Sequence, residues 1–221
     1  SSLAQVSSLA QVSSLAQVFS LAKKRTVLMT TVATVAVLFL APHAEAFGAS
    51  PTTTIKRTQA KINKLLAKKK TAGSDQKLTV EVNRFLDFHS LARRSLGKHW
   101  KARSSEEQRE FASTLQKLIE RNYLKQARKN TGHAIAYRGE TLKGKKAQVT
   151  TAIKVKKGRR TQEILVVYKM HKRKGRWVVY DVITDDVSIV RNYRSQFNRI
   201  IKKHSYEYLV GKMRRKLAKT S

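Results

Sequence analysis

The order of periodicities along the chain predicts an α+β fold, with helices packed around a four-stranded antiparallel sheet. Three observations carry this. Apolar residues recur at helical spacing from Ile55 to Leu124. Between His133 and Ser188 the period drops to two, with short Gly-containing turns. Helical spacing then returns and runs to the C-terminus.

Residues 47–54 are small and polar and include Pro51, which suits a linker followed by a helix start. Ile55, Ile62, Leu65 and Leu66 fall on one helical face, and Lys68-Lys69-Lys70 ends that helix in a basic turn that suits its C-terminal dipole. Residues 71–75, with Gly73, read as a loop. Residues 80–100 read as one helical region, with Val82, Phe85, Leu86, Phe88 and Leu91 as its apolar stripe and Gly97 as its breaker. Ser104-Ser105-Glu106-Glu107 has the spacing of a capping box. The helix it opens carries Phe111, Leu115, Leu118, Ile119, Tyr123 and Leu124, and Gly132 closes it.

Residues 133–142, 145–156, 161–171 and 176–188 read as four strands. Their connections are Lys143-Gly144, Lys157-Gly158-Arg159-Arg160 and Arg173-Lys174-Gly175, short enough for antiparallel hairpins. Val149, Thr151, Ile153 and Val155 alternate along the second strand. Ile164 to Val167 and Trp177 to Tyr180 are unbroken apolar runs. A strand apolar on both faces must cover something on both: helices on one, and more helix, a partner or a ligand cavity on the other. Residues 188–204 then return to helix through Ile189, Tyr193, Phe197, Ile200 and Ile201. Ser205 caps a last helix bearing Tyr208, Leu209, Met213 and Leu217.

The first eighteen residues are three copies of Ser-Ser-Leu-Ala-Gln-Val. Lys23-Lys24-Arg25, the uncharged stretch 26–40 and the small-x-small site Ala44-x-Ala46 follow, which is the pattern of a secretory signal peptide. The stretch falls short of the roughly 20 apolar residues of a membrane span. Residues 1–46 are therefore expected to be a leader and signal, and 47–221 a single domain starting at Phe47 outside the cytoplasm. The whole chain carries a formal charge of +33, and residues 47–221 carry +31 once Lys23, Lys24, Arg25 and Glu45 are set aside. At 41% hydrophobic the chain has material for a core, so it is no disordered polycation. Cysteine is absent, which removes thiol nucleophiles and Cys-metal sites. Such a charge points to a polyanionic partner or surface.

Enzyme chemistry finds little support. The six histidines lack HxxxH or HxH spacing. Asp185 and Asp186 are neighbours on a strand and would point to opposite faces, so they read as strand-end solvation or a helix cap. Asp181 reads as a structural carboxylate that pairs with a base or caps backbone. Neither a GxSxG elbow nor a P-loop occurs. No catalytic group, cofactor or metal is expected. Nucleic acid is disfavoured too: the basic clusters at hairpin turns could form one edge, but no stacking aromatics are interleaved with them.

Phe88-x-x-Leu-Ala-x-x-x-Leu-Gly-Lys-His-Trp, Ser-Ser-Glu-Glu-Gln-Arg-x-Phe, Tyr123-Leu, Trp177-x-x-Tyr180-Asp181-Val182 and Val187-Ser188-x-Val190-x-Asn192-Tyr193-Arg194-Ser195-Gln196-Phe197 occur in that order. Together they resemble the MlaC family of periplasmic phospholipid-binding, toluene-tolerance auxiliary proteins, over about residues 51–218. The resemblance implies a diacyl phospholipid held between a curved sheet and a set of helices. It also implies a shuttle between an outer-membrane lipoprotein complex and an inner-membrane ABC-transporter complex with an MCE-domain protein. Period-two alternation selects Val149, Ile153, Val155, Ile164, Val166, Tyr168, Trp177 and Val179 as candidate pocket positions. Lys143, Lys145, Lys146, Lys156, Lys157, Arg159, Arg160, Lys172, Arg173, Lys174 and Arg176 are the candidates for transient docking on a membrane surface or an acidic partner.

Overall fold

The computed structural model describes residues 49–69, 71–127, 135–157 and 160–219. Among these, six α-helices and a five-stranded sheet follow one another along the chain. They are α1 (Pro51–Leu66), α2 (Ala72–Phe85), α3 (Phe88–Leu96), α4 (Ser105–Ala127), β1 (Ile135–Lys143), β2 (Lys146–Lys157), β3 (Arg160–Arg173), β4 (Arg176–Thr184), β5 (Val187–Ser188), α5 (Ile189–Lys203) and α6 (Tyr206–Ala218). The leader, the signal pattern and Gly132 lie outside the described residues.

Local chemistry sets the helix starts. Ser50 Oγ accepts the Thr53 N–H at 3.1 Å, with Pro51 at the first helical position of α1. The expected loop at 71–75 is instead the start of α2. Thr71 and Ser74 cap each other reciprocally, Ser74 N–H to Thr71 Oγ1 at 3.1 Å and Thr71 N–H to Ser74 Oγ at 3.0 Å, and this holds Gly73 in the helix. The capping box at α4 forms as its spacing predicts: Ser104 N–H donates to Glu107 Oε2 at 2.7 Å, and Glu107 N–H to Ser104 Oγ at 3.2 Å.

The expected single helix over 80–100 is two. Leu86 leaves the helix to form a parallel bridge with Val179 of β4, and the Asp87 N–H donates to the Val179 carbonyl at 2.8 Å. Asp87 then caps α3, its Oδ1 accepting the Ser90 N–H at 3.0 Å. A tertiary backbone contact has overridden helical periodicity here.

The sheet runs β1-β2-β3-β4-β5 with every neighbour antiparallel. The fifth strand corrects the expected four. Asp185 and Asp186 sit at positive φ, 46° and 62°, and turn the chain so that 187–188 comes back to pair with 183–184. Aspartate is among the few residues that tolerate this conformation. Neither caps α5: Ser188 does, its Oγ accepting the Arg191 N–H at 3.0 Å.

The register gives the sheet one strongly apolar face. Val149 pairs with Tyr168, Thr151 with Val166, and Ile153 with Ile164. On β4, Val179 lies opposite Met170 and Trp177 opposite Lys172. An irregularity between Lys169 and Met170 inserts one extra residue on β4, so Val182, not Asp181, shares the face of Val179. Helices α1, α2 and α3 pack on β2 and β4, and α4 packs behind them against α2, α3 and α6. The opposite face is open around the apolar run on β3, where Leu165 is 49% exposed. The expectation that this run is covered on both sides does not hold at that residue.

Candidate functional site

The pocket candidates collect on the helix-covered face. Val149, Ile153, Val166, Tyr168, Trp177 and Val179 are buried among the core side chains, and Ile164 is half-buried against them. Val155 shares their strand register, opposite Gln162, but its side chain lies outside the described residues. Helices α1 and α2 supply the other wall with Ile55, Ile62, Leu78, Val82 and Phe85. Leu118, Ile135 and Tyr137 are partly buried at its margin.

One polar chain crosses this apolar interior. Tyr137 on β1 donates its hydroxyl proton to Gln59 Oε1 of α1, and Gln59 Nε2 donates to the Tyr168 hydroxyl at 3.2 Å. Next to Tyr168 on the same face, the Thr151 hydroxyl donates to the Val166 carbonyl at 3.3 Å. Gln59 is 3% exposed, and Tyr168 and Thr151 are fully buried. Burial pushes the Tyr137 phenol up to about 12 and raises Tyr168 further, so both remain protonated donors. The Lys56 ammonium caps the outer side, 4.7 Å from the centre of the Tyr137 ring.

A second polar cluster ties α3 to the sheet. Burial alone would raise the Asp87 carboxyl. The Ser90 N–H and hydroxyl, together with Arg173 and His171, outweigh it and hold the group below its ordinary value. His171 Nε2 lies 2.9 Å from Oδ2, and Arg173 Nη1 lies 3.1 Å from Oδ1. His171 stacks on Tyr180, whose other contact is the Arg94 guanidinium 4.2 Å from the ring centre. Asp87, His89, Ser90, Lys145, Lys146, Lys172 and Arg173 surround an open depression of about 370 Å³.

The meander divides the basic clusters. The β1–β2 and β3–β4 turns share one end of the sheet, where the Lys172 N–H donates to the Lys145 carbonyl at 2.9 Å. That end carries Lys143, Lys145, Lys146, Lys172, Arg173, Lys174 and Arg176. The β2–β3 turn lies at the opposite end, so the three clusters do not form one edge. Arg159 lies outside the described residues, as do the side chains of Lys156, Lys157 and Arg160. A separate groove of about 540 Å³ runs between α1 and α2, with Leu65 and Val80 in its floor and Lys61, Lys64, Lys68 and Lys77 around it.

The Phe88–Trp100, Ser104–Phe111 and Val187–Phe197 motifs that carry much of the resemblance meet at a joint between α3 and α5. Gly97 has φ +60°, and a Cβ there would lie 3.3 Å from the Arg194 side chain. Arg194 Nε donates to the Arg94 carbonyl at 2.8 Å, and His99 Nε2 lies 3.0 Å from Asn198 Oδ1. Trp100, Phe111 and Phe197 follow in edge-to-face order. Asp181 accepts from the Ser188 hydroxyl at 2.7 Å and the Val190 N–H at 3.1 Å, the structural capping role its position suggests.

The MlaC protein family profile matches residues 52–215, nearly all of this helix–sheet–helix unit. The chain belongs to the MlaC family. A curated relative, the "Intermembrane phospholipid transport system binding protein MlaC" of Haemophilus influenzae, is 23% identical over 131 residues, which is 58% of this chain and 61% of that protein. The chain thus spans less than two thirds of that relative's length. The fold also matches a solved structure, the phospholipid-binding protein from Ralstonia solanacearum in complex with a phospholipid. There the TM-score is 0.62 at 17% identity, covering 75% of this chain and 96% of that one. At that identity the likeness is one of fold.

Gln59, Tyr137, Thr151, Met170 and Val182 join the inner face without having been selected from sequence. Met170 continues the alternation of Val166 and Tyr168, so extending the pattern two residues would have found it. Val182 is hidden by the bulge. Gln59 carries a signal in helical spacing, since it lies four residues after Ile55 and three before Ile62.

Proposed function

We propose that this protein is a periplasmic phospholipid carrier of an Mla-type system, moving lipid between an outer-membrane lipoprotein complex and an inner-membrane ABC-transporter complex with an MCE-domain protein. The observation that carries the reading is the family match over 52–215, on a fold whose sheet turns its apolar face toward the helices. Transfer data put a buried methylene at about 0.8 kcal/mol. A carrier must replace the bilayer around two acyl chains with apolar side chains, and it needs no catalytic group. The inner-face positions Val149, Ile153, Val155, Ile164, Val166, Tyr168, Trp177 and Val179 are the proposed chain contacts.

The basic end at the β1–β2 and β3–β4 turns is the proposed docking element. A Lys or Arg near an anionic bilayer contributes about 1 kcal/mol, screened by salt. Delivery relies on the signal pattern, so exported protein should begin at or near Phe47, which N-terminal sequencing reads directly. Native mass spectrometry of protein purified from the periplasm tests the carrier reading. The expected result is a co-purifying diacyl phospholipid. Lipid-free protein that takes up none from vesicles, yet binds nucleic acid tightly near physiological ionic strength, would replace this reading with polyanion binding.

A further inference from the structure

We propose that Gln59 is a ligand-reading residue: its amide N–H takes an ester carbonyl oxygen of the bound lipid, so the protein distinguishes ester-linked from ether-linked phospholipids. This rests on the carrier reading above.

A glutamine amide offers two N–H donors and one carbonyl acceptor. The Gln59 carbonyl receives the Tyr137 proton, and one N–H goes to the Tyr168 oxygen. Thr151 beside it gives its own proton to the Val166 carbonyl. The second Gln59 N–H then meets no partner among the described residues, in a side chain only 3% exposed. An unused buried donor costs about as much as a lost hydrogen bond.

The surroundings select the ligand atom. Gln59 lies between the Ile55 and Ile62 face of α1 and the Tyr168 position of the sheet, inside the apolar wall proposed to hold acyl chains. Lys56, one turn away, is on the exposed side of α1. A phosphate brought to the amide would be buried without a cation, which is costly, whereas a neutral carbonyl needs only one donor. In a diacyl phospholipid the ester carbonyls sit at the head of the chains, the polar atoms that enter an apolar pocket with them. The Tyr137 and Tyr168 hydroxyls hold the amide plane from two strands, so its free N–H is presented in a fixed direction.

The test compares matched diacyl and dialkyl-ether phosphatidylglycerols, which share headgroup and phosphate and differ in the carbonyls. Delipidated full-length mature protein should bind the diacyl lipid about fivefold more tightly, the equivalent of one net hydrogen bond. Gln59→Leu should erase that ratio, and Gln59→Met, close in volume, should do the same. A purely structural Gln59 would change stability without changing the ratio. Equal wild-type affinity for the two lipids overturns the assignment, as does a ratio that survives either substitution. Wild-type binding of neither lipid would instead fail the carrier reading itself. Should both variants fail to fold, the wild-type ratio alone decides.

Discussion

Helices α3 and α1 are each tied to the sheet through a buried polar side chain, Asp87 in one case and Gln59 in the other. The two joints are built from opposite materials. Asp87 is ionised, accepts from Ser90, His171 and Arg173, and is locked further by the backbone bond to Val179. Gln59 is neutral, relies on two tyrosines, and has no backbone bond across to the sheet among the described residues. Separating the first joint would break charge-assisted bonds to His171 and Arg173, which are roughly twice as strong as neutral ones. Separating the second costs neutral hydrogen bonds, each worth about 1 kcal/mol net. The fold therefore has a fixed seam at α3 and a weaker one at α1, and the weaker seam lies where acyl chains are proposed to enter.

The largest expected effect comes from placing a charge on the inner face. Val166→Glu introduces a carboxylate at a fully buried position, and an unpaired buried charge is severely penalised. Lipid occupancy should drop more than tenfold while a cooperative melt persists at lower temperature. Complete unfolding would make Val166 plain core and remove it from the pocket.

Asp87→Asn breaks the charged joint while keeping an oxygen for the Ser90 N–H. It should cost about 2 kcal/mol at neutral pH, as expected for hydrogen bonds to a charged group. Because the folded carboxyl titrates below its ordinary value, its contribution is fully present above the unfolded pKa near 4. It is lost as pH falls through the lowered folded value. The stability gap between wild type and variant should therefore close on acidification below about pH 4, read by urea melts across pH. A gap independent of pH would mean that geometry, not charge, holds this seam.

The α3–α5 joint should respond less. Gly97→Ala forces a side chain into a positive-φ conformation and against Arg194, for about 1 kcal/mol of destabilisation. Lipid binding should be unchanged, since none of the proposed chain contacts belongs to this joint. A lipid defect in a stable Gly97→Ala protein would extend the site to the motif residues.

The smallest effect on stability belongs to the basic end. Lys145→Glu with Lys146→Glu should shift stability by no more than about 0.5 kcal/mol. Binding to anionic vesicles should weaken and lose salt dependence, with bound lipid retained. Loss of bound lipid with vesicle binding intact would reassign these lysines to the headgroup.

These contrasts also explain what the sequence made legible. Ser104 with Glu107, and the Gly turns at 144 and 175, are local rules, and each formed where its pattern stood. The inner face of β2 and β3 followed from alternation. What failed was non-local. Leu86 and Asp87 sit in a helical pattern until β4 offers Leu86 a bridge partner. The bulge opposite Met170 moves Val182 onto the inner face, and no period reveals it. Gln59 hides because it is a polar residue on a core stripe, and its worth depends on Tyr137 and Tyr168, remote in sequence. The helical motifs Phe88–Trp100 and Val187–Phe197 build the α3–α5 joint, so they located the fold better than the site.

The central claim is that lipid lies between α1 and the sheet. A diacyl phospholipid carrying a photoactivatable diazirine in mid-chain, loaded into the protein, irradiated and mapped by peptide mass spectrometry, tests it directly. Adducts are predicted on Ile55 or Ile62 of α1 and on Val149, Ile153, Val166 or Tyr168 of the sheet. Adducts confined to Leu65 and Val80, in the outer groove between α1 and α2, would contradict it.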